Sequence, residues 1–115
     1  MENSILISVK KYVGLSADYT AFDLDIITHI NSTFATLAQL KVGPKEGFAI
    51  QDETATWDQF IPENDPRYNP VKSYVFIKVK LLFDPPTSTA VLQSYQAMAS
   101  EYEWRLNATA EFPDI

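Results

Sequence analysis

The chain has a single histidine, His29, four residues after Asp25. On a helix that spacing brings a carboxylate within reach of the imidazole, which is the start of a general base. A base alone does no chemistry. A hydrolase would also need a nucleophile or a second base, and a metal site would need a third ligand; neither stands at a recognisable spacing. The plainer reading is a helix-surface ion pair or a partly buried histidine. Glu101 and Glu103 are the nearest approach to a carboxylate pair. Two positions apart on a helix, they fall on different faces and cannot flank one bond. A solvated face accounts for both. The three glycines, Gly14, Gly43 and Gly47, make no phosphate-binding loop. Asn31-Ser32-Thr33 and Asn107-Ala108-Thr109 match a glycosylation sequon, which without an export signal is accidental. The residues therefore predict no enzyme, no cofactor and no metal.

Composition sets the frame for the elements that hold these residues. A chain of 115 residues is expected to form one domain, residues 1–115, large enough to fold without staples. Its 46% hydrophobic and 13% aromatic content is globular. With no cysteine there is no disulfide framework or thiolate site, which fits a reducing compartment. At the N-terminus an acid precedes the apolar residues and lysines follow them, the reverse of an export signal; no membrane role is expected. A net charge of −6 argues against a protein that wraps phosphates.

The most apolar stretch, residues 69–86, is bracketed by Asn69-Pro70 and by Pro85-Pro86. Asparagine suits an N-cap and proline the first helical position, while the later prolines forbid continuation. The intervening residues predict about four turns of helix at 3.6 residues per turn. Val71, Val75, Val79, Leu82 and Phe83 form one stripe, widened by Tyr74, Ile77 and Leu81. A helix apolar over most of its circumference belongs in the centre of a bundle. Val75, Ile77, Val79, Leu81 and Phe83 also alternate, so residues 71–83 carry a competing strand pattern. The proline stops and the length favour the helix.

Around this rod the pattern predicts a short helix over residues 4–13, with Ser4 as cap and Gly14 beyond its end. A second helix is expected over residues 23–40, with Phe22, Ile26, Ile30, Phe34 and Leu37 on one side and Asp23 and Asp25 in its first turn. A last long helix is expected over residues 88–110, capped by Thr87 or Ser88. Its buried face would hold Leu92, Tyr95, Met98 or Ala99, Tyr102 and Leu106. The predicted fold class is all-α: a small bundle of about four helices, a long irregular loop over residues 43–68 and a long C-terminal helix.

That loop differs in kind from the rest. It carries Glu46, Asp52, Glu53, Asp58, Glu63 and Asp65 with no base between Glu46 and Pro66, yet Phe48, Ile50, Trp57, Phe60 and Ile61 are spaced through it. A loop so long and so aromatic is usually functional. A single turn capped by Thr56 is expected over residues 56–60. From Arg67 to Phe83 the sign reverses: Arg67, Lys72, Lys78 and Lys80 occur with no acid. One reading pairs the two sets within the chain. The other pairs them between copies, as a head-to-tail contact that closes into a ring. Phe48, Trp57 and Phe60 would then be interface anchors beside Asp58, Lys72, Lys78 and Lys80; otherwise these aromatics cover the end of their own bundle.

Five stretches resemble one family together: AFDLDIITHIN (21–31), LAQLKVGPKEGFAI (37–50), TWDQF (56–60), VKSYVFIKVKLLFDPP (71–86) and EYEWRLN (101–107). The combination resembles the head–tail connector, or adaptor, proteins of tailed bacteriophages and prophages. Lys41 departs from the pattern, standing where glycine is expected in many relatives. The resemblance implies a mostly helical virion protein at the head–tail interface, made in the bacterial host cytoplasm. It implies a homo-oligomeric ring, commonly a dodecamer, between the portal protein and a downstream stopper or tail-completion protein. DNA would pass through the lumen without sequence reading. Carried over, the segment reaching the portal would include Leu106, Asn107, Phe112, Pro113 and Ile115, and the loop over residues 43–61 would meet a neighbour. The rival roles are a stopper or tail-completion protein, or a small prophage regulatory module.

Overall fold

The computed structural model describes residues 3–111, and side chains through residue 108. Among the described residues the elements are α1 (Ile5–Tyr12), α2 (Asp23–Gln39), α3 (Trp57–Phe60), α4 (Tyr68–Phe83) and α5 (Thr89–Glu111), with no strand. The all-α expectation holds, and the strand pattern over residues 71–83 is overridden. In α4 the alternating residues do not share one face: Val75, Ile77 and Val79 are buried, whereas Leu81 and Phe83 are half-buried. Helix and prolines together leave Leu82 about half exposed, against its predicted place in the core stripe.

α4 starts earlier than the Asn69-Pro70 signal predicts, at Tyr68. Asp65 sets this start. Its Oδ1 accepts from the Arg67 backbone N–H at 2.8 Å, and its carbonyl accepts from the Tyr68 N–H at 2.9 Å. Pro70 then occupies the third helical position, whose N–H also lacks an intrahelical partner, so nothing is lost. The end falls where the prolines put it, with Asp84 in a non-helical conformation.

α4 packs against both α2 and α5, and α1 leans on α2 and α4. The order is a layer of α2 and a layer of α5 on either flank of α4, in a body 42 × 35 × 21 Å. The core joins Ile5, Leu6 and Val9 of α1, Ile26, Ile30, Phe34 and Leu37 of α2, and Val71, Tyr74, Val75 and Val79 of α4. These are the stripes that the helical spacing predicts. Phe22 is partly exposed instead of buried, because it precedes the helix and stacks edge-on against Phe83 at 5.4 Å. On α5 Ala99 and Leu106 are buried and Met98 is not. An alanine lets α5 lie close to α4 where methionine could not.

Both helix ends that the loop needs are closed by Schellman motifs. At α1 the Leu15 N–H reaches the Lys10 carbonyl at 2.8 Å and Gly14 takes φ +91°. At α2 the Val42 N–H reaches the Leu37 carbonyl at 2.9 Å and the Lys41 N–H the Ala38 carbonyl at 3.0 Å. Here the left-handed residue is Lys41, at φ +65°. A lysine thus adopts the conformation for which the sequence pattern would place glycine.

Candidate functional site

His29 is half-buried and Asp25 exposed; no ion pair links them, and the His29 carbonyl accepts from Thr33 Oγ1 at 2.9 Å. Glu101 forms an exposed pair with Arg105 at 2.8 Å. Glu103 departs from the solvated-face expectation. It accepts from the Tyr74 hydroxyl at 2.6 Å and lies 3.8 Å from Lys78 Nζ. Burial, then the hydrogen bond to Glu103, hold the Tyr74 phenol far above its ordinary range. Among the described residues no three His, Cys, Asp or Glu side chains are grouped to hold a metal ion. A concavity of about 370 Å³ is lined by Ala38, Lys41, Val42, Gly43, Pro44 and Lys45, with lysines but no acid or nucleophile beside them. No helix of the described residues is long and apolar enough to cross a membrane.

The long loop is built into the core. Asn31 of α2 holds its middle by two bonds to Ile50: the side-chain amide donates to the carbonyl at 3.0 Å, and Oδ1 accepts from the N–H at 2.7 Å. The N-terminal segment pairs with its end. Ile5 N–H meets the Ala55 carbonyl at 3.0 Å, Trp57 N–H meets the Asn3 carbonyl at 3.1 Å, and Ser4 Oγ donates to the Glu53 carbonyl at 2.7 Å. The α3 turn forms after Thr56 as expected, with Gln59 Oε1 accepting from the Thr56 N–H at 3.1 Å.

This placement puts Trp57 and Phe60 in the chain's own core, the second of the two readings weighed for these aromatics. Trp57 is 0% exposed and Phe60 4%, while Phe48 is half-buried. Phe34 gathers Phe48 at 5.2 Å, Phe60 at 4.6 Å and Trp57 at 6.3 Å between ring centroids. Trp57 also meets Phe76 at 5.8 Å and donates its indole N–H to Ser8 Oγ at 2.9 Å. The helices leave a gap at the end of the bundle, and the loop's rings fill it. Burying the indole there satisfies its one donor, which is what a buried tryptophan requires.

The charges divide. Arg67 pairs with Asp65 at 3.0 Å, and this bond holds the Asp65 carboxyl below its usual range. Lys80 pairs with Asp84 at 3.0 Å, and Lys72 lies over the Trp57 and Tyr68 rings at 5.8 and 5.4 Å. Lys78 turns to α5. Lys78 and Lys80 are thus engaged outside the acidic loop, whereas Arg67 and Lys72 are held by its own Asp65 and Trp57. Asp52 Oδ1 accepts from the Thr54 N–H at 2.8 Å, and Glu46, Glu53, Asp58 and Glu63 enter no ion pair among the described residues. The Tyr68 phenol is raised by burial and by the nearby charges of Glu63 and Asp58. Of the residues carried over for portal docking, Leu106 is 2% exposed in the chain's own core and Asn107 is half-buried. Phe112, Pro113 and Ile115 lie outside the described residues.

Surfaces that the sequence reading passed over are apolar and exposed. Leu24 is 77% exposed, and Tyr19 and Phe22, whose rings lie 5.8 Å apart, are also exposed. On α5, Val91, Met98 and Trp104 are exposed, Trp104 to 72%. Ala90, Ala97 and Trp104 recur at seven-residue spacing, which is one side of a helix, and all three are exposed. A signal for this was present: residues 85–100 contain no charge at all, although a solvated helix face ordinarily carries several.

The sequence matches the profile of a family described as phage connector protein over residues 5–112. No curated protein and no solved structure matches it.

Proposed function

Because the chain belongs to the phage connector protein family, we propose that it is a structural adaptor of the virion neck, acting by assembly and not by catalysis. Copies form a ring beneath the portal, of twelve subunits where the portal has twelve docking positions. The ring joins head to tail, meets a stopper or tail-completion protein below, and lets DNA pass.

The observation that carries this reading is the family match across nearly the whole chain. The architecture is consistent with it in physical terms. The core is closed, but α5 lies on the bundle with only Ala99 and Leu106 buried among its described side chains. A small domain that leaves a long helix flank uncovered has surface to give to neighbours. On a ring, each weak contact is reinforced by the template, so modest pairwise affinity suffices. A net charge of −6 per subunit suits a lumen wall that repels the duplex backbone and lets it slide.

The test is the mass of the purified protein alone and with the portal protein of its phage. The expected result is a multi-copy complex on the portal. A chain that stays single and does not bind the portal overturns the reading, and one that binds only the tail tube makes it a tail-completion protein.

A further inference from the structure

We infer that, in the ring, the lysine-rimmed concavity at the end of α2 on one copy receives the acidic turn carrying Asp58 and Glu63 on the next. The inference rests on the ring reading above and names the surfaces that meet.

The first observation is a pair of unmatched cations. Three of the nine bases, Lys11, Lys41 and Lys45, enter no ion pair and lie over no ring among the described residues. Two of them, Lys41 and Lys45, line the same concavity of about 370 Å³, and both are exposed. Glu46 follows Lys45 but is not among the lining residues. The C-terminus of α2 supplies about half a negative charge, which offsets only part of the two lysines. In a chain of net charge −6, this spot attracts a carboxylate.

The second is how these lysines are held. Lys41 takes φ +65° within the Schellman motif, and Lys45 lies in a turn closed by the Gly47 N–H on the Pro44 carbonyl at 3.0 Å. A left-handed lysine carries strain that glycine would not, and such strain persists where the surroundings fix it. The two cations therefore project from a set frame, which lowers the cost of ordering them on binding.

The third is the acids. Asp58 and Glu63 are exposed and enter no ion pair among the described residues. Burial, then the charges of Glu63 and Asp58, raise the Tyr68 phenol, so both carboxylates stand near one ring. Lys72 lies over that ring at 5.4 Å but pairs with neither, and its single charge does not cancel two. The acids are also held in place. Asp58 follows the buried Trp57, whose N–H meets the Asn3 carbonyl at 3.1 Å. Glu63 sits in a turn closed by the Asp65 N–H on the Pro62 carbonyl at 3.0 Å. Two fixed surfaces of opposite sign are left unmatched within one chain and match between two. Like surfaces repel and unlike ones attract, which selects the head-to-tail pairing that a ring needs. Pro62, exposed between the acids, gives Ala38 and Pro44 of the concavity an apolar contact.

The test uses two full-length variants: Lys41→Glu with Lys45→Glu, and Asp58→Lys with Glu63→Lys. All four positions are exposed, so each variant should keep the wild-type helix content. Mass is measured with the portal present for the wild type, each variant and their equal mixture. Each variant alone should assemble at least about tenfold more weakly, because like charges then face each other. The mixture should regain the wild-type assembly, with the two variants alternating, because every contact again joins opposite signs. If either variant alone assembles as the wild type does, its surface is not in the contact and the inference fails while the ring stands. If both are weakened and the mixture stays weak, these groups face another protein and the second copy is overturned as the occupant. Should a reversed chain unfold, Lys41→Gln with Lys45→Gln and Asp58→Asn with Glu63→Gln take their place; both should weaken assembly, and either one leaving it unchanged overturns the inference. If the wild type remains single with its portal present, ring and contact fail together.

Discussion

The Tyr74 hydroxyl on α4 donates to Glu103 Oε2 on α5 at 2.6 Å, and Lys78 Nζ stands 3.8 Å from the same oxygen. Tyr74 is fully buried, so its hydroxyl has no access to water and depends on this partner. The bond fixes the rotation of α5 on α4, and thereby which side of α5 is left facing outward.

Removing the hydroxyl tests that role. Tyr74→Phe should cost about 1.5–3 kcal/mol, the range for hydrogen bonds to charged groups. Combined with Glu103→Gln, the losses should be clearly non-additive in denaturant unfolding, since both act on one bond.

The pH dependence has a defined sign. The folded Tyr74 phenol is raised above its ordinary 10.0, and Tyr12 is pushed up to about 12 by burial and by its hydroxyl contact with Tyr95. Below pH 10 the phenols are protonated in folded and unfolded chains alike, and their contribution is fully present. As pH rises past 10 the unfolded chain releases these protons first, so stability should fall with pH through 12. Tyr74→Phe should make that fall shallower in alkaline denaturation curves.

Lys10 is 1% exposed, its ammonium 2.8 Å from Asp23 Oδ1 and 3.1 Å from the Ala17 carbonyl. Asp23→Ala would leave that charge buried without its counter-ion and should cost about 3 kcal/mol. Lys10→Met, which fills the same volume without charge, should be near neutral in thermal unfolding.

Lys41 holds a left-handed conformation at φ +65°. Lys41→Gly should raise stability by about 1 kcal/mol, since glycine adopts this region freely. Gly43 is the opposite case: a Cβ there would lie 2.5 Å from the Phe60 ring, and φ is +95°. Gly43→Ala should therefore destabilise by about 1–3 kcal/mol, read from denaturant midpoints.

The helices were legible because their signals are local. Ser4 caps α1 by accepting from the Ile7 N–H at 3.2 Å, Ser88 accepts from Leu92 at 2.9 Å through its carbonyl, and the prolines close α4 where they stand. The setting of the loop's aromatics was open in the sequence for a physical reason. Aromatic residues in a long acidic segment look alike whether they face a neighbour or their own core, and what decides between these is long-range. Asn31 reaching Ile50, and Asn3 reaching Trp57, tie residues far apart in sequence. The buried Lys10 was hidden by its type, because lysine is almost never buried unless paired, and its partner lies on another helix. The exposed side of α5 was legible as a lack of charge, but only the structure shows that the lack faces outward.

The most direct test of the connector assignment is a density map of the neck of the mature phage particle. The account predicts a closed ring of this protein between portal and tail, each subunit touching neighbours of its own kind. A map whose neck lacks the protein, or holds it as an isolated copy touching no neighbour of its own kind, would contradict it.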